Sequence, residues 1–286
     1  FIDRSQVYPR ANFRPRGHGQ AYGQWTRPDR LTAVDGKAVG YASNTKTHIT
    51  SFDGKTYKWT NGLFSGYTVG NVKDGMETYT YKYNGQGQRI SKRYAFTPGN
   101  QTLAEYTASI VQDFVYNVDG TLHMMTKTTT DKSGSSSTKR LVFLYDSTGV
   151  SGCMYSVNNG TPVTYYFIRD ALGDISSVCN AAGRIRAEYA YDAYGNCAIS
   201  GDFSNGFAEE NPFRYRGYFY DTETGFYYCQ TRYYNPAWGR FISMDDVDYV
   251  DPQAVSGLNL YAYCNGDPVN FSDPTGHFVL AGLGIG

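Results

Sequence analysis

Apolar and polar positions alternate in short segments along most of the chain, and these segments are rich in aromatic and β-branched residues. Examples are Glu77-Thr-Tyr-Thr-Tyr-Lys-Tyr83, Arg140-Leu-Val-Phe-Leu-Tyr145, Thr164-Tyr-Tyr-Phe-Ile168 and Arg186-Ala-Glu-Tyr-Ala-Tyr191. Because successive side chains of a strand point to opposite faces, the alternation predicts strands that each carry one aromatic face. The pattern therefore predicts an all-β protein.

A recurring turn signal separates these predicted strands. An Asn or Asp follows an aromatic or other apolar residue, and a Gly stands three positions later. The Asx side chain accepts a backbone hydrogen bond and starts a type I turn, and the Gly takes the left-handed conformation that closes a hairpin with a bulge. The repeat predicts antiparallel hairpins that form a meander or spiralling strip. Its copies are Asn84–Gly87, Asn117–Gly120, Asp146–Gly149, Asp170–Gly173, Asn180–Gly183 and Asp192–Gly195.

Three other segments interrupt or extend this repeat. Asp53-Gly54 and Asn61-Gly62 flank a strand and are typical of tight hairpin turns. The stretch from Thr128 to Thr138 contains no apolar residue, and its composition predicts a flexible hairpin loop. Residues 1–30 contain six Arg without periodicity and remain unassigned, as an arm or a broken repeat.

Composition supports the all-β prediction and narrows the function. The 286 residues include 28 Tyr, 16 Phe and 32 Gly, the residues of strands joined by tight turns. The 26 basic and 26 acidic side chains balance, so no net charge attracts nucleic acid, and no segment reaches the roughly 20 apolar residues of a membrane span. The five Cys and four His show no metal-ligand spacing, so no cofactor or metal is expected. No catalytic role is assigned to any of the histidines His18, His48, His123 and His277.

A dense aromatic block after residue 206 carries four ordered motifs. They are Tyr218-Phe-Tyr-Asp-Thr-Glu-Thr-Gly225, Arg232-Tyr-Tyr-Asn-Pro236, Gly239-Arg-Phe-Ile-Ser243 and Asp273-Pro-Thr-Gly276. Together they closely resemble the RHS repeat-associated core domain, and the upstream hairpin units resemble the YD repeats of the same family. The resemblance implies a β-strip that spirals into a hollow shell, with the core domain curling inward to plug one end.

The resemblance also implies a division of the chain. The YD-repeat strip is expected over residues 31–200 and the RHS core domain over residues 207–277. Residues 278–286 are apolar and Gly-rich, and are expected to lead into a further C-terminal domain. If Tyr and Phe line one face of the strip and Thr, Lys and Asn the other, a mostly uncharged inner wall could hold an unfolded guest. The sequence leaves open which face points inward.

Two functions follow from this family resemblance. The first is the shell of a bacterial polymorphic toxin, secreted or at the cell surface, which encloses and presents its own C-terminal effector domain. The alternative is a surface or wall-associated protein whose aromatic strip binds carbohydrate or a cell-surface receptor, without cargo. An enzyme acting on an external substrate has the least support, because no nucleophile–base pair, phosphate loop or metal cluster stands out.

In toxin-bearing members the core domain resembles an aspartyl autoprotease. Mapped onto this chain, the resemblance implies Asp245 and Asp273 as paired acids, Arg240 as a residue that orients or polarises the site, and cleavage near His277-Phe278. Two close acids can share one proton, so that one activates water while the other protonates the peptide carbonyl.

This chain departs from the family pattern at two positions. Asp245-Asp246 replaces the usual Asp-Pro, and His277 stands where Leu is more common. Asp246 is therefore an alternative acid. A purely structural interpretation also stays open, in which Asp273 starts a turn and the two adjacent acids cap a turn or pair with Arg240.

Overall fold

Fourteen consecutive strands form one antiparallel sheet in which each strand pairs with its neighbours in sequence. This arrangement comes from a computed structural model that describes residues 30–43, 47–99, 106–201, 207–246 and 259–277, together with the backbone of 280–281. The predicted arm lies outside the described residues except for Arg30, as does most of the apolar C-terminal segment. The sheet, which contains β3 to β16, runs from Gly40 to Gly201, and a second sheet, containing β17 to β20, follows. The prediction of an all-β, antiparallel strip is confirmed.

The strands and helices have the following bounds. The strands are β1 (Ala33–Val34), β2 (Lys37–Ala38), β3 (Gly40–Tyr41), β4 (Ile49–Phe52), β5 (Lys55–Thr60), β6 (Leu63–Asn71), β7 (Gly75–Tyr83), β8 (Arg89–Thr97), β9 (Thr107–Tyr116), β10 (Leu122–Asp131), β11 (Ser136–Asp146), β12 (Gly149–Val157), β13 (Val163–Arg169), β14 (Ile175–Asn180), β15 (Ile185–Tyr191), β16 (Cys197–Gly201), β17 (Phe219–Asp221), β18 (Phe226–Cys229), β19 (Arg232–Asn235), β20 (Arg240–Phe241), β21 (Phe271–Ser272) and β22 (Leu280–Ala281). Helix α1 is Phe207–Glu210, and two 3-10 turns are Tyr215–Gly217 and Cys264–Gly266. Across the part of the chain that the structure describes, no helix is long and apolar enough to cross a membrane.

The predicted hairpin tips are confirmed. Their side chains form the turns through hydrogen bonds to nearby backbone amides. Between β7 and β8, Asn84 Oδ1 accepts hydrogen bonds from the amides of Gln86 and Gln88, both at 3.0 Å. Gly87 donates to the Asn84 carbonyl at 3.1 Å and has a φ of 79°, which a residue with a Cβ adopts only at a cost. The other repeat tips also lie between consecutive strands of the sheet.

The prediction of a flexible loop from Thr128 to Thr138 is wrong. Most of these residues extend β10 and β11, with Thr128 opposite Thr138 and Thr130 opposite Ser136. The paired hydroxyl oxygens lie 2.9 Å apart in each case. Threonine is β-branched and favours strands, so a polar segment without apolar residues still continues the hairpin. The turn itself is confined to a few residues after Asp131, whose carboxylate accepts the amide of Ser133 at 2.8 Å.

The aromatic face of the large sheet is covered by the segment that follows it. Tyr165 of β13 stacks on Phe207 of α1 with ring centroids 3.8 Å apart. Phe64 of β6 contacts Tyr233 of β19 at 5.0 Å, and Phe143 of β11 contacts Phe213 at 4.8 Å. The aromatic face of the strip therefore packs on the segment from residue 207 onward, which was predicted as the core domain.

A buried charged cluster, which we call the clasp, joins the two sheets at the centre of this interface. Arg89 and Lys92 lie on β8, Asp221 ends β17, and Glu223 follows it. Asp221 Oδ2 is 2.5 Å from Arg89 Nη1, and Asp221 Oδ1 is 2.8 Å from Lys92 Nζ. Lys92 also pairs with Glu223 at 2.9 Å. Each buried cation of the strip at this position therefore has an acidic partner from residues 221–223.

Replacing Asp221 tests how strongly the clasp holds the sheets together. Asp221→Asn leaves Arg89 and Lys92 buried without their main counter-charge, so we expect the free energy of unfolding to fall by about 3–5 kcal/mol. Urea unfolding followed by tyrosine fluorescence measures the change. Lys37→Ala, which removes the exposed Lys37–Asp53 pair, is the control and should cost at most about 1 kcal/mol. Equal effects of the two substitutions would contradict a dominant role for the clasp.

The clasp also predicts how stability depends on pH. Burial raises the pKa of the Asp221 carboxyl, but the charges of Arg89 and Lys92 outweigh burial and hold it below its usual value. A lowered folded-state pKa gives stability that is present above the unfolded-state pKa of about 3.9 and is lost as the pH falls below it. The difference in unfolding free energy between the parent and Asp221→Asn should therefore stay constant from about pH 5 to 8 and shrink below about pH 4. A difference that stays constant through pH 3 would contradict this assignment.

Candidate functional site

The candidate site is built around Arg232, the first residue of β19. All four residues of this strand are buried, because β19 lies between β18 and β20 and is covered on both faces. Arg232 Nη2 lies 2.7 Å from Asp245 Oδ2 and 3.6 Å from Asp273 Oδ2. One guanidinium therefore brings together two acids that are 28 residues apart in the sequence (273 − 245).

The rest of the guanidinium is also fixed in place. Arg232 Nη1 donates to the carbonyl of Leu260 at 3.0 Å, and Nε donates to the carbonyl of Gly276. The ring of Phe241 lies under it, with its centroid 3.6 Å from the guanidinium carbon. Burial lowers the pKa of Arg232, while the carboxylates of Asp245 and Asp273 oppose this effect. Since arginine keeps its charge in proteins, the site holds a permanent cation between two acids.

Asp273 serves both the turn and the site. Its Oδ1 accepts the amide of Gly276 at 2.8 Å, which is the hydrogen bond of a turn initiator. Its own amide lies 3.2 Å from the hydroxyl of Tyr218. Because Oδ1 makes the turn, Oδ2 is the oxygen that faces Arg232. The structural and the functional interpretation of Asp273 are therefore compatible.

Asp245 and Asp246 have different surroundings. Asp245 is 6% exposed, and Asp246 is exposed on the surface. Asp245 Oδ1 accepts the backbone amide of Asp246 at 2.8 Å and lies 2.5 Å from Nδ1 of His277. Of the two adjacent acids, Asp245 is the one that shares Arg232 with Asp273.

From the sequence, Arg240 is predicted as a site residue, whereas no catalytic or positioning role is predicted for Arg232 or for the side chain of His277. Arg240 lies on β20 opposite Asn235, and its guanidinium stacks over Tyr261 at 4.8 Å. One signal for Arg232 was present in the sequence: an arginine inside the aromatic run from Phe226 to Tyr234. A cation that is buried in such a run needs acidic partners.

Gly276 allows the chain to pass close to β19. Replacing Gly276 tests whether this close packing holds the segment in place. Its φ is 82°, and a Cβ there would lie 2.6 Å from Thr231 Oγ1 and 2.7 Å from the Cys229 carbonyl. Gly276→Ala should lower the unfolding free energy by about 2–4 kcal/mol, because left-handed strain adds to a clash with the backbone. Gly183→Ala is the matched control, since its φ is 74° and its Cβ would meet no described atom within 4 Å.

Urea unfolding compares these two glycine variants. The control should lose only about 1 kcal/mol, the cost of the left-handed backbone alone. Hydrogen exchange should show faster opening of residues 273–277 in Gly276→Ala than in Gly183→Ala. Equal stability and equal exchange would mean that close packing at Gly276 does not hold the segment against β19.

Comparison with known proteins places this geometry in a family. The family model for the teneurin YD-shell matches residues 22–269. The tRNA3(Ser)-specific nuclease WapA of Bacillus spizizenii is 32% identical over 254 residues, which are 88% of this chain and 10% of that protein. Toxin subunit YenC1 of Yersinia entomophaga is 24% identical over 231 residues, which are 78% of this chain and 22% of that protein.

Solved structures agree on the fold. The crystal structure of TcdB2-TccC3-Cdc42 has a TM-score of 0.65 at 20% identity, and the match covers 84% of this chain and 12% of that chain. This chain thus spans about a tenth of WapA and about a fifth of YenC1. Because the family model matches most of the sequence and WapA is 32% identical over 88% of the chain, the chain belongs to the RHS and YD-repeat shell family.

Proposed function

We propose that this chain is part of a secreted or cell-surface toxin shell that encloses and presents a following effector domain, and that its core domain cuts the chain near His277-Phe278. This chain matches a small part of two relatives, one named as a tRNA nuclease and one as a toxin subunit, and these names support the toxin role. The main observation in support of self-cleavage is that two buried acids, Asp245 and Asp273, both pair with Arg232.

The way in which the sheet is covered supports the proposed shell role. The aromatic face of the strip packs on the core domain through rings such as Tyr165 and Phe207, and the clasp fixes that contact. A core domain held in this way positions the end of the strip, and with it the segment that leads to the effector. The alternative of a carbohydrate-binding aromatic face has less support, because these rings are buried rather than exposed.

The two acids can hydrolyse the peptide bond between them and the effector. In the proposed step, one ionised carboxylate takes a proton from water, and the oxygen of that water bonds to the carbonyl carbon of His277. The other acid, protonated, gives its proton to the carbonyl oxygen. Collapse of the tetrahedral intermediate breaks the C–N bond: the amine of Phe278 leaves with a proton from the first acid, and one hydroxyl of the intermediate returns its proton to the second acid. The products are a carboxylic acid on His277 and a free amine on Phe278.

Arg232 places this chemistry next to the scissile segment. It contacts both acids, and its Nε donates to the carbonyl of Gly276, two residues before Phe278. Holding acid and substrate in one geometry turns a bimolecular step into an intramolecular one, which lowers the entropic part of the barrier.

Intact mass spectrometry of the purified chain tests self-cleavage. The parent should lose the mass of residues 278–286 over time. Asp245→Asn and Asp273→Asn should each slow the loss by at least about a hundredfold, because an amide cannot exchange the proton. Asp246→Asn is the matched control and should cleave like the parent, since Asp246 is exposed.

Two results would overturn this assignment. A parent and a His277→Leu variant that both keep their full mass over days at several pH values would remove the proposed cleavage. Loss of cleavage in Asp246→Asn, with retention in Asp245→Asn, would transfer the role to the exposed acid.

A further inference from the structure

The segment before the proposed cleavage point is anchored without help from the His277 side chain. Thr231 Oγ1 donates to the Thr275 carbonyl at 2.6 Å, and Arg232 Nε donates to the Gly276 carbonyl. The amide of Gly276 in turn donates to Asp273 Oδ1 at 2.8 Å. The first two bonds hold the segment against Thr231 and the start of β19, and the third closes its own turn, so any role of the imidazole is additional to anchoring.

The imidazole of His277 instead contacts the acid that would act on the neighbouring bond. Nδ1 of His277 lies 2.5 Å from Asp245 Oδ1, and the same oxygen accepts the amide of Asp246 at 2.8 Å. A carboxylate oxygen has two lone pairs, so these two donors occupy both. The second oxygen, Oδ2, is 2.7 Å from the positively charged Arg232 guanidinium and keeps one lone pair, so water bound there would share its acceptor with a cation. For Asp245 to bind and activate water, an oxygen must accept a hydrogen bond from that water.

We propose that His277 is a positioning residue that occupies Oδ1 of Asp245 and thereby slows self-cleavage at its own carbonyl. This inference rests on the proposed function and assigns a regulatory element to the same site. The side chain of His277 is 28% exposed, whereas that of Asp245 is 7% exposed. The imidazole is therefore the more exposed partner of this contact, and the acid is the buried one.

The contact does not depend on the charge of the imidazole. Nδ1 carries a proton in one neutral tautomer as well as in the protonated ring, and both forms donate to the carboxylate. Removing the donor should therefore raise the cleavage rate, and restoring a donor at the same position should lower it again.

A series of substitutions at His277 separates the hydrogen bond from the size of the side chain. In His277→Leu the donor is lost and an apolar side chain remains, so cleavage should be faster than in the parent, by a factor on the order of ten for one charge-assisted hydrogen bond. In His277→Asn, Nδ2 is as many bonds from the backbone as Nδ1 of histidine, and cleavage should stay as slow as in the parent. Rates come from the time course of intact mass, with equal urea stability as the check on folding.

The outcomes distinguish this inference from the function on which it rests. Absence of cleavage in the parent and in every position-277 variant would remove the proposed function. Cleavage of His277→Leu at or below the parental rate would overturn the role of His277 and leave self-cleavage intact. Equal acceleration in His277→Leu and His277→Asn would show that ring size, rather than the hydrogen bond, limits the rate, and would also overturn it.

A second measurement tests the contact without cleavage. In the Asp273→Asn background, which should stay uncut, NMR of the ¹⁵N-labelled imidazoles should show a slowly exchanging Nδ1–H proton. The chain has four histidines, and replacing His277 assigns the signal. Asp245→Ala in the same background should abolish it, and its persistence would mean that Asp245 is not the acceptor.

Discussion

The ion pairs of Asp221 with Arg89 and Lys92 are the interaction on which the arrangement of the two sheets depends. Burying two cations is costly unless an acid meets them with good geometry, and here one carboxylate receives both at 2.5 and 2.8 Å. The rings of Phe219 and Tyr228 lie 4.7–4.8 Å from the Arg89 guanidinium and exclude water. The aromatic contacts around the clasp bury apolar surface, but the hydrophobic effect that stabilises them is not directional. The clasp favours one register of the core domain on the strip, since a shift of one residue would leave its four charges unpaired.

The clasp and the candidate site lie on opposite faces of one strand. Tyr233 of β19 points towards the clasp, where its hydroxyl is 3.1 Å from Arg89 Nη1, and its neighbour Arg232 points the other way, towards the two acids. Alternation along a strand places adjacent residues on opposite faces. A change in the clasp that moves β19 therefore moves Arg232 and the acids it holds. The same strand connects the stability of the core domain with the geometry of the proposed cleavage.

Local features of this fold could be predicted from the sequence, and long-range ones could not. The tip at Asn84 was predictable because its hydrogen bonds lie within five residues of sequence. The extension of β10 and β11 through Thr128 was not, since composition alone does not show that a polar segment has a partner strand. Arg232 was missed for a related reason: its partners follow it by 13 and 41 residues (245 − 232 and 273 − 232), and only packing brings them together. The sequence also could not show which of Asp245 and Asp246 contacts Arg232. The two residues are adjacent and identical, and they differ in burial.

The Asp-Pro-Thr-Gly turn shows why an ordinary structural role and a chemical role can share one residue. A turn initiator uses a single carboxylate oxygen, and in Asp273 this is Oδ1, which receives the amide of Gly276. The turn thereby fixes the side chain in one rotamer and directs Oδ2 towards Arg232. A catalytic acid needs this kind of fixed orientation, because misplacement by about 1 Å is enough to lose most of the rate. The turn therefore supplies the preorganisation that the proposed chemistry requires. In this proposal Asp273 can act as an acid only because it also forms the turn.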